Sequence, residues 1–409
     1  MPKVIHVVRK FEPLEWGGIE THLLGLIPGL QRLGWSSEVH APREAGTDGS
    51  TLIAAGAGFR TFAAHYPVLG MRASDRAQYV ASGGNLVSPH ELVRLLRERR
   101  ASMLHVHTVR RLGGVVRVAS RLKAVPYAVT LHSPIRAGTG AMPGPAGHGR
   151  RLIDLGAPFG LLVGARRVVH DADVVFTVNQ SEMDAWAPDR VGKHLEKLSL
   201  GVDSERATSA ARAQARALVP GLGQAPFVVM IARLDPIKGH DTAIAAFAQA
   251  APTTMHLVMA GSEVDPPYTD ELRDRARVLG SRAHFLGNVA PHLARALLAE
   301  SHLVLIPSRA EAFGLTLPEA WAEGACALFA NIGGLHDSGD VARAQFGRVD
   351  DNTVEGWSRR MSETLADAAG MERERVAGPQ RVADHFAWRT VAERVAGAYR
   401  RATLGSWPA

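Results

Sequence analysis

The sequence predicts an α/β protein built on two parallel sheets, one in each half of the chain. Three observations predict it. Apolar runs of strand length alternate with longer helical patterns from end to end. Those runs are continuous Val/Ile/Leu stretches rather than alternating ones, as strands buried on both faces require. A second series of the same kind restarts at Phe227 after an Ala/Arg-rich interval, and 409 residues suffice for two cores of ordinary size.

In the first half, residues 4–8 read as a buried strand, followed by a loop over 11–18 and an amphipathic helix over 19–33. Ser88-Pro-His-Glu91 is a capping box with proline at the first helical position, opening a helix that ends near Arg100. Residues 103–107, 127–131 and 174–178 are further short strands. The Gly/Pro-rich stretch 134–150 has no periodicity and reads as a mobile loop beside the strand that ends at His132. The domain boundary falls at 203/204, just ahead of the Ala/Arg-rich interval 204–226. The second series then runs through 227–231, 255–260, 284–286, 303–306 and 327–329. Trp388 to Tyr399 form a last amphipathic helix.

Composition narrows the class. Apolar residues make up 46% and charged residues 21%, ordinary for a globular enzyme. The one cysteine, Cys326, excludes an intramolecular disulfide framework or a cysteine-rich metal site, and its apolar surroundings mark it as a buried structural thiol. The N-terminus lacks the apolar core of a signal peptide, and no apolar stretch approaches the ~20 residues of a membrane span, so a cytoplasmic protein is expected. Charge is unevenly placed. Residues 1–200 hold 25 Lys+Arg against 16 Asp+Glu; the remainder holds 22 against 24. No acidic residue lies between Arg99 and Arg151, where Arg110, Arg111, Arg117, Arg121, Lys123, Arg136 and Arg150 all fall. Such a half is either a solvated basic face or one that attracts an anionic acceptor or an acidic membrane surface. Nucleic acid is not expected, because no stacking-aromatic motif accompanies the charge.

Three constellations carry chemistry. In Ala232-Arg-Leu-Asp-Pro-Ile-Lys-Gly239, Arg233 and Lys238 stand at the carboxyl end of a strand, where open α/β sheets bind ligands. An Arg fork and a Lys point charge together suit a diphosphate. In Glu311-Ala-Phe-Gly-Leu-Thr-Leu-Pro-Glu319, Gly314 permits close backbone approach. There the N–H groups of Leu315 and Thr316 begin a helix, which offers donors to an anion. Glu311 and Glu319 can each bind vicinal hydroxyls. In Gly17-Gly18-Ile-Glu20, paired glycines let backbone approach a phosphate or sugar. The one Asp-x-Asp triplet, Asp171-Ala-Asp173, opens a strand and reads as a strand-entry turn, not a metal site.

In this order and spacing the motifs resemble glycosyltransferase family 4, the retaining transferases of the GT-B fold. The likeness extends over nearly the whole chain, through Thr130-Leu-His-Ser133, Gly201-Val-Asp203, Phe285-Leu-Gly287 and Gly333-Gly334. It implies two Rossmann-like domains facing across a deep cleft: an acceptor-side domain of residues 1–203 joined by about 385–409 crossing back, and a donor domain of 204–384. It implies a nucleotide-sugar co-substrate with uridine as the expected base, retention at the anomeric carbon, and no cofactor or metal. Arg233 and Lys238 would bind the donor phosphates, Glu319 the ribose and Glu311 the sugar hydroxyls. His132 would line the reaction centre, Gly17 and Gly18 would approach the diphosphate, and Val289 would lie near the base. Phe313, Gly314, Leu315 and Thr316 would complete the donor site. The chain departs from the family pattern with Leu200 for asparagine, Ala232 for glycine, Ala260-Gly-Ser-Glu263 for Gly-x-Gly, and His336-Asp337 after the late glycine pair. A lipid-linked or small anionic acceptor, with peripheral membrane contact, fits the basic half. Two other readings stay open: a sugar-nucleotide epimerase of the same fold, and a catalytically silent nucleotide-sugar-binding subunit.

Overall fold

The computed structural model describes residues 1–12, 18–44, 46–70, 79, 85–131, 153–186 and 194–405. The chain divides into two compact units, Met1–Leu198 with Val391–Ala409, and Ser199–Thr390.

The first unit contains β1 (Lys3–Val7), β2 (Ser36–Pro42), β3 (Gly58–Phe62), β4 (Val68–Leu69), β5 (Ala101–Val106), β6 (Tyr127–Thr130), β7 (Ile153–Asp154), β8 (Val174–Thr177) and β9 (Leu195–Lys197). Seven of them form a sheet in the order β3-β2-β1-β5-β6-β8-β9, every pair parallel, while β4 and β7 make a small antiparallel ribbon. The helix Gly18–Arg32 follows β1. Helix Arg111–Lys123 packs tightly because Gly113 and Gly114 bring it close to Val168 and Val163; a Cβ on Gly114 would lie 2.5 Å from the Val163 side chain.

Strands β2 and β3 are invisible to a search for apolar runs, because β2 carries Glu38 and His40 and β3 carries Arg60. Partners make the burial of Glu38 and His40 tolerable. His40 bridges Glu91 at 2.5 Å and Glu38 at 2.7 Å, and Glu38 also meets Lys3 at 3.0 Å and Arg60 at 2.8 Å. The His40 bond, assisted by Lys3, draws the Glu38 carboxyl down to about 2. Burial alone would lower the His40 pKa, yet its two glutamates raise it. This network also alters the capping box. The Ser88 hydroxyl accepts the Glu91 N–H at 3.1 Å as the motif predicts, but the Glu91 carboxylate is spent on His40.

Two arginines of the acid-free stretch, Arg111 and Arg117, are spent inside the fold. Arg111 is buried and paired with Asp154. Arg117 is buried and meets Asp171 at 2.5 Å, a carboxylate shared with Arg121 and Arg167. The acids are absent from the stretch itself but return from residues 154–171. Asp173 accepts the Tyr127 N–H at 3.0 Å, so Asp171-Ala-Asp173 is indeed an entry turn to β8.

The second unit holds β10 (Phe227–Ile231), β11 (His256–Ala260), β12 (Ala283–Phe285), β13 (Leu303–Ile306), β14 (Ala327–Ala330) and β15 (Arg348–Val349) in the order β12-β11-β10-β13-β14-β15, again all parallel. This is the doubly wound order whose direction reverses between its first and fourth strands, here β10 and β13. Cys326 is buried just ahead of β14, its thiol pushed up to about 12 by burial.

The last helix, Trp388–Leu404, passes from the second unit to the first. Its buried side carries Val391, Val395 and Tyr399; Tyr399 stacks edge-on with Trp35, and its hydroxyl bonds His105 Nδ1 at 2.6 Å. The units divide at 198/199 and 390/391 rather than at the expected 203/204 and 384/385. The reason is local: Val202 donates its N–H to Phe386 O at 2.8 Å and bridges Ala387, while Gly201 lies flat against the Trp388 ring. Both junction segments therefore belong with the second unit. Tyr399→Phe, which removes the bond to buried His105, is expected to cost about 1 kcal/mol of stability, measured by denaturant unfolding monitored on the first unit.

Candidate active site

The reversal between β10 and β13 brings the two strongest motifs together. Beyond β10, Asp235 accepts the Ile237 N–H at 3.0 Å and Pro236 starts a single 3₁₀ turn that ends on Lys238. Gly239 closes it at φ 74°, and a Cβ there would lie 2.1 Å from Pro307 O. That approach seats the turn on the loop beyond β13. Lys238 Nζ meets Glu311 Oε1 at 2.5 Å, and the Ser308 hydroxyl donates to the same oxygen at 3.2 Å. Arg233 projects outward, mostly exposed, and among the described residues it has only a 3.8 Å contact to Asp235. An ammonium held by a carboxylate beside an open guanidinium offers an anion one fixed cation and one adjustable one.

After Glu311 the chain turns inward. Phe313 is buried against Phe386, with ring centroids 6.2 Å apart, so its side chain is unavailable to a ligand and only its backbone can contribute. Gly314 has φ 80°, and Leu335 occupies the space a side chain would need. The late glycine pair explains itself here. Gly334 N–H donates to Glu311 O at 3.1 Å, and a Cβ on Gly334 would sit 2.3 Å from Ala312 O. Helix Thr316–Glu323 then begins without a side-chain cap. The Thr316 hydroxyl donates to Ile231 O at 3.3 Å, tying the helix start to the end of β10. Among the described residues, the Leu315 and Thr316 N–H groups have no protein acceptor, which leaves donors at the positive end of the helix.

Glu319 lies in the first turn of that helix, its N–H donating to Leu315 O at 3.0 Å, and its carboxylate has no hydrogen-bond or salt-bridge partner among the described residues. Burial raises its carboxyl to about 7, only partly offset by Arg295 and reinforced by Glu323. A carboxyl group left half-protonated at neutral pH, and unused by the protein, is a ready acceptor for ligand hydroxyls. Val289 stands in the loop beyond β12, partly exposed.

Sequence reasoning missed Arg309. Its N–H donates to Ile237 O at 2.7 Å, and its guanidinium reaches Pro236 O and Asp241 Oδ2, the latter at 2.7 Å. It pins the Lys238 turn to the loop that carries Glu311. Nothing in its spacing separates it from a surface arginine. Arg309→Gln is expected to weaken nucleoside diphosphate binding severalfold, by loosening a turn it does not itself extend into the site. Calorimetry on the single variant and on the double variant with Lys238→Ala checks this: coupled sites give losses that do not add.

In the first unit, Gly17 and His132 lie outside the described residues, as does the loop 134–150; Gly18 is the first residue of helix Gly18–Arg32. What the structure adds is a histidine group at the β1/β5 reversal. His6, His105 and His107 offer nitrogens within 4.8 Å of one another. They form a hydrogen-bonded network instead of an open ligand set: His6 Nδ1 to His107 Nε2 at 3.2 Å, and His105 to Tyr399 and to Thr130. Burial, with His22 nearby, lowers His6 to about 3, so the ring is neutral.

Two family models match in succession, "Glycosyl transferase 4-like domain" over residues 17–194 and "Glycosyl transferases group 1" over 219–376. The chain is 28% identical over 268 residues to a D-inositol 3-phosphate glycosyltransferase of Rhodococcus jostii (strain RHA1), covering 61% of this chain and 57% of that protein. A homologue from Rhodococcus opacus is matched over 58% of its length, so the chain spans little more than half of these relatives. It is 25% identical over 427 residues to an alpha-maltose-1-phosphate synthase of Mycolicibacterium smegmatis, covering 98% and 99% of the two chains. Among solved structures it resembles Anabaena Alr3699/HepE in complex with UDP and glucose, with TM-score 0.70, 17% identity and coverage of 98% and 100%. Sucrose-phosphate synthase from Thermosynechococcus elongatus gives TM-score 0.69 at 20% identity, covering 99% and 100%. At these identities the structural likeness speaks for the fold alone. With both domain models in sequence, parallel sheets in two Rossmann-like units and a terminal helix that returns to the first, the chain belongs to glycosyltransferase family 4, with the GT-B fold.

Proposed function

We propose that this glycosyltransferase takes a hexose from a uridine diphosphate sugar and transfers it, with retention and without a metal, to a hydroxyl acceptor. The observation that carries the reading is the pairing of Lys238 with Glu311 beside exposed Arg233 and the uncapped start of helix Thr316–Glu323. Lys238 and Arg233 grip the diphosphate, and the Leu315 and Thr316 amides add donors to it. Glu319 accepts hydrogen bonds from the ribose hydroxyls, and Glu311 from those of the sugar. The bond from the anomeric carbon to the phosphate oxygen breaks while the acceptor oxygen attacks from the same face. The acceptor's proton passes to the departing phosphate, whose growing charge the two cations stabilise. The family resemblance adds His132, Gly17 and Gly18 as expected donor contacts, and Val289 as the residue expected near the base.

Uridine is favoured by HepE, solved with UDP and glucose, although one relative is named a GDP-mannose-dependent mannosyltransferase. The relatives named for D-inositol 3-phosphate support an anionic acceptor. A cytoplasmic location with peripheral membrane contact completes the proposal; among the described residues no helix is long and apolar enough to cross a membrane. Thermal shift against UDP, GDP and ADP, followed by NMR of the anomeric configuration of the product, tests it. A ligand specific for the native state adds about 2.7 kcal/mol at a hundred times its dissociation constant. No shift with any of the three refutes the donor site, and an inverted product refutes retention.

A further inference from the structure

Fifteen large apolar side chains are exposed among the described residues, and five of them fall on one short region of the first unit: Leu69, Ile153, Leu155, Leu161 and Leu162. Leu69 and Ile153 are register partners across the β4/β7 ribbon, and the Leu155 N–H donates to Pro67 O at 2.9 Å, so the ribbon continues directly into helix Ala157–Leu162. The helix is two-sided. Phe159 packs on the core and Val163 just beyond it is buried, while Leu161 and Leu162 stand 85% and 81% exposed. Large leucines held at that exposure by a helix anchored on its other side ordinarily mark a contact surface.

Charge and composition select the partner. The next turn presents Arg166 and Arg167, both exposed, and Arg167 shares Asp171 with Arg117 and Arg121. One carboxylate thus answers three guanidiniums, and the rim stays positive. A second copy of this chain would set two such rims face to face, at a repulsive cost. A protein hot spot would draw on Trp and Tyr, whereas all five residues here are aliphatic. Aliphatic side chains inserted among acyl chains, with arginines level with the headgroups, suit a bilayer interface.

We propose that the surface formed by the β4/β7 ribbon, helix Ala157–Leu162 and Arg166 docks the first unit on an anionic lipid bilayer. This rests on the peripheral membrane contact of the proposed function and names the surface and residues that would make it; Arg111 and Arg117 of the acid-free stretch are occupied inside the fold.

The test uses the full chain and two kinds of vesicle, phosphatidylcholine alone and phosphatidylcholine with phosphatidylglycerol. The chain should co-sediment with the anionic vesicles, and much less with the neutral ones. Each arginine near an anionic leaflet contributes about fivefold to partitioning. Raising ionic strength should weaken the binding, because screening acts within about 8 Å at physiological salt. Leu161→Glu with Leu162→Glu should lower binding about tenfold or more, and Arg166→Glu severalfold, both with unchanged melting temperature because these side chains support nothing inside. The thermal shift with UDP should be the same in all variants, so a failure here is separable from a failure of the donor site. Three results overturn the proposal: no co-sedimentation of the wild-type chain at low salt, equal binding after the leucine substitutions, or a wild-type dimer in gel filtration that the same substitutions dissociate.

Discussion

Lys238→Ala lowers the affinity of the free protein for UDP by roughly tenfold to a hundredfold, the loss expected for one charge-assisted contact of about 1.5–3 kcal/mol. The effect should exceed that of Arg233→Ala. Lys238 is held at 2.5 Å by Glu311 in a turn that Arg309 pins, whereas Arg233 is mostly exposed and weakly paired. An ordered cation spends less entropy on meeting a phosphate than a mobile one. Turnover should fall further than affinity in the Lys238 variant, since the phosphate gains charge as it leaves. The substitution also frees the Glu311 carboxylate, which then repels the diphosphate. Lys238→Ala with Glu311→Gln should therefore recover part of the lost affinity. Calorimetry with UDP on the three variants checks this order, and equal affinity in wild type and Lys238→Ala sinks the phosphate assignment.

Glu319→Ala is expected to weaken UDP binding tens of fold, and Glu319→Gln to remove a pH dependence that the wild type shows. The cause is the raised carboxyl. Burial lifts Glu319 from 4.5 to about 7, so the native protein holds a proton there that the unfolded chain releases. The sign for stability follows: the cost of ionising Glu319 is absent below about 4.5, grows as pH rises, and is complete above about 7. For binding it runs the other way. Ribose hydroxyls donate, so the carboxylate is the receptive form, and donor affinity should rise from pH 5.5 to 7.5 and then level off. Binding at pH 7 should release part of a proton, visible as a dependence of calorimetric heat on the ionisation enthalpy of the buffer. UDP titrates as well, so the difference between wild type and Glu319→Gln isolates the residue. Identical pH profiles in the two proteins would remove Glu319 from the ribose.

Strands with both faces buried must be written in Val, Ile and Leu, and so 227–231 and 303–306 could be bounded to the residue from sequence. The Ser88 cap was equally legible, because a hydroxyl three residues before a glutamate acts on a backbone N–H within one turn. The motifs that point to a nucleotide sugar are local too: Arg233 and Lys238 share one turn, and Glu311 to Glu319 one loop and helix start. What sequence could not supply were pairings across long separations. Glu38 and His40 look wrong for a buried strand until Lys3, Arg60 and Glu91 arrive from other elements. Arg111 and Arg117 look like a basic face until Asp154 and Asp171 close on them. Phe313 reads as a ligand contact until Phe386 covers it, and Arg309 as a surface charge until Asp241 and the Pro236 carbonyl receive it. The sequence alone thus determined the fold class and the family, and it named the candidate residues of the donor site. Only the tertiary structure decided which of those charges and rings are already spent inside the protein, because a side chain's free valences depend on neighbours that can lie a hundred positions away.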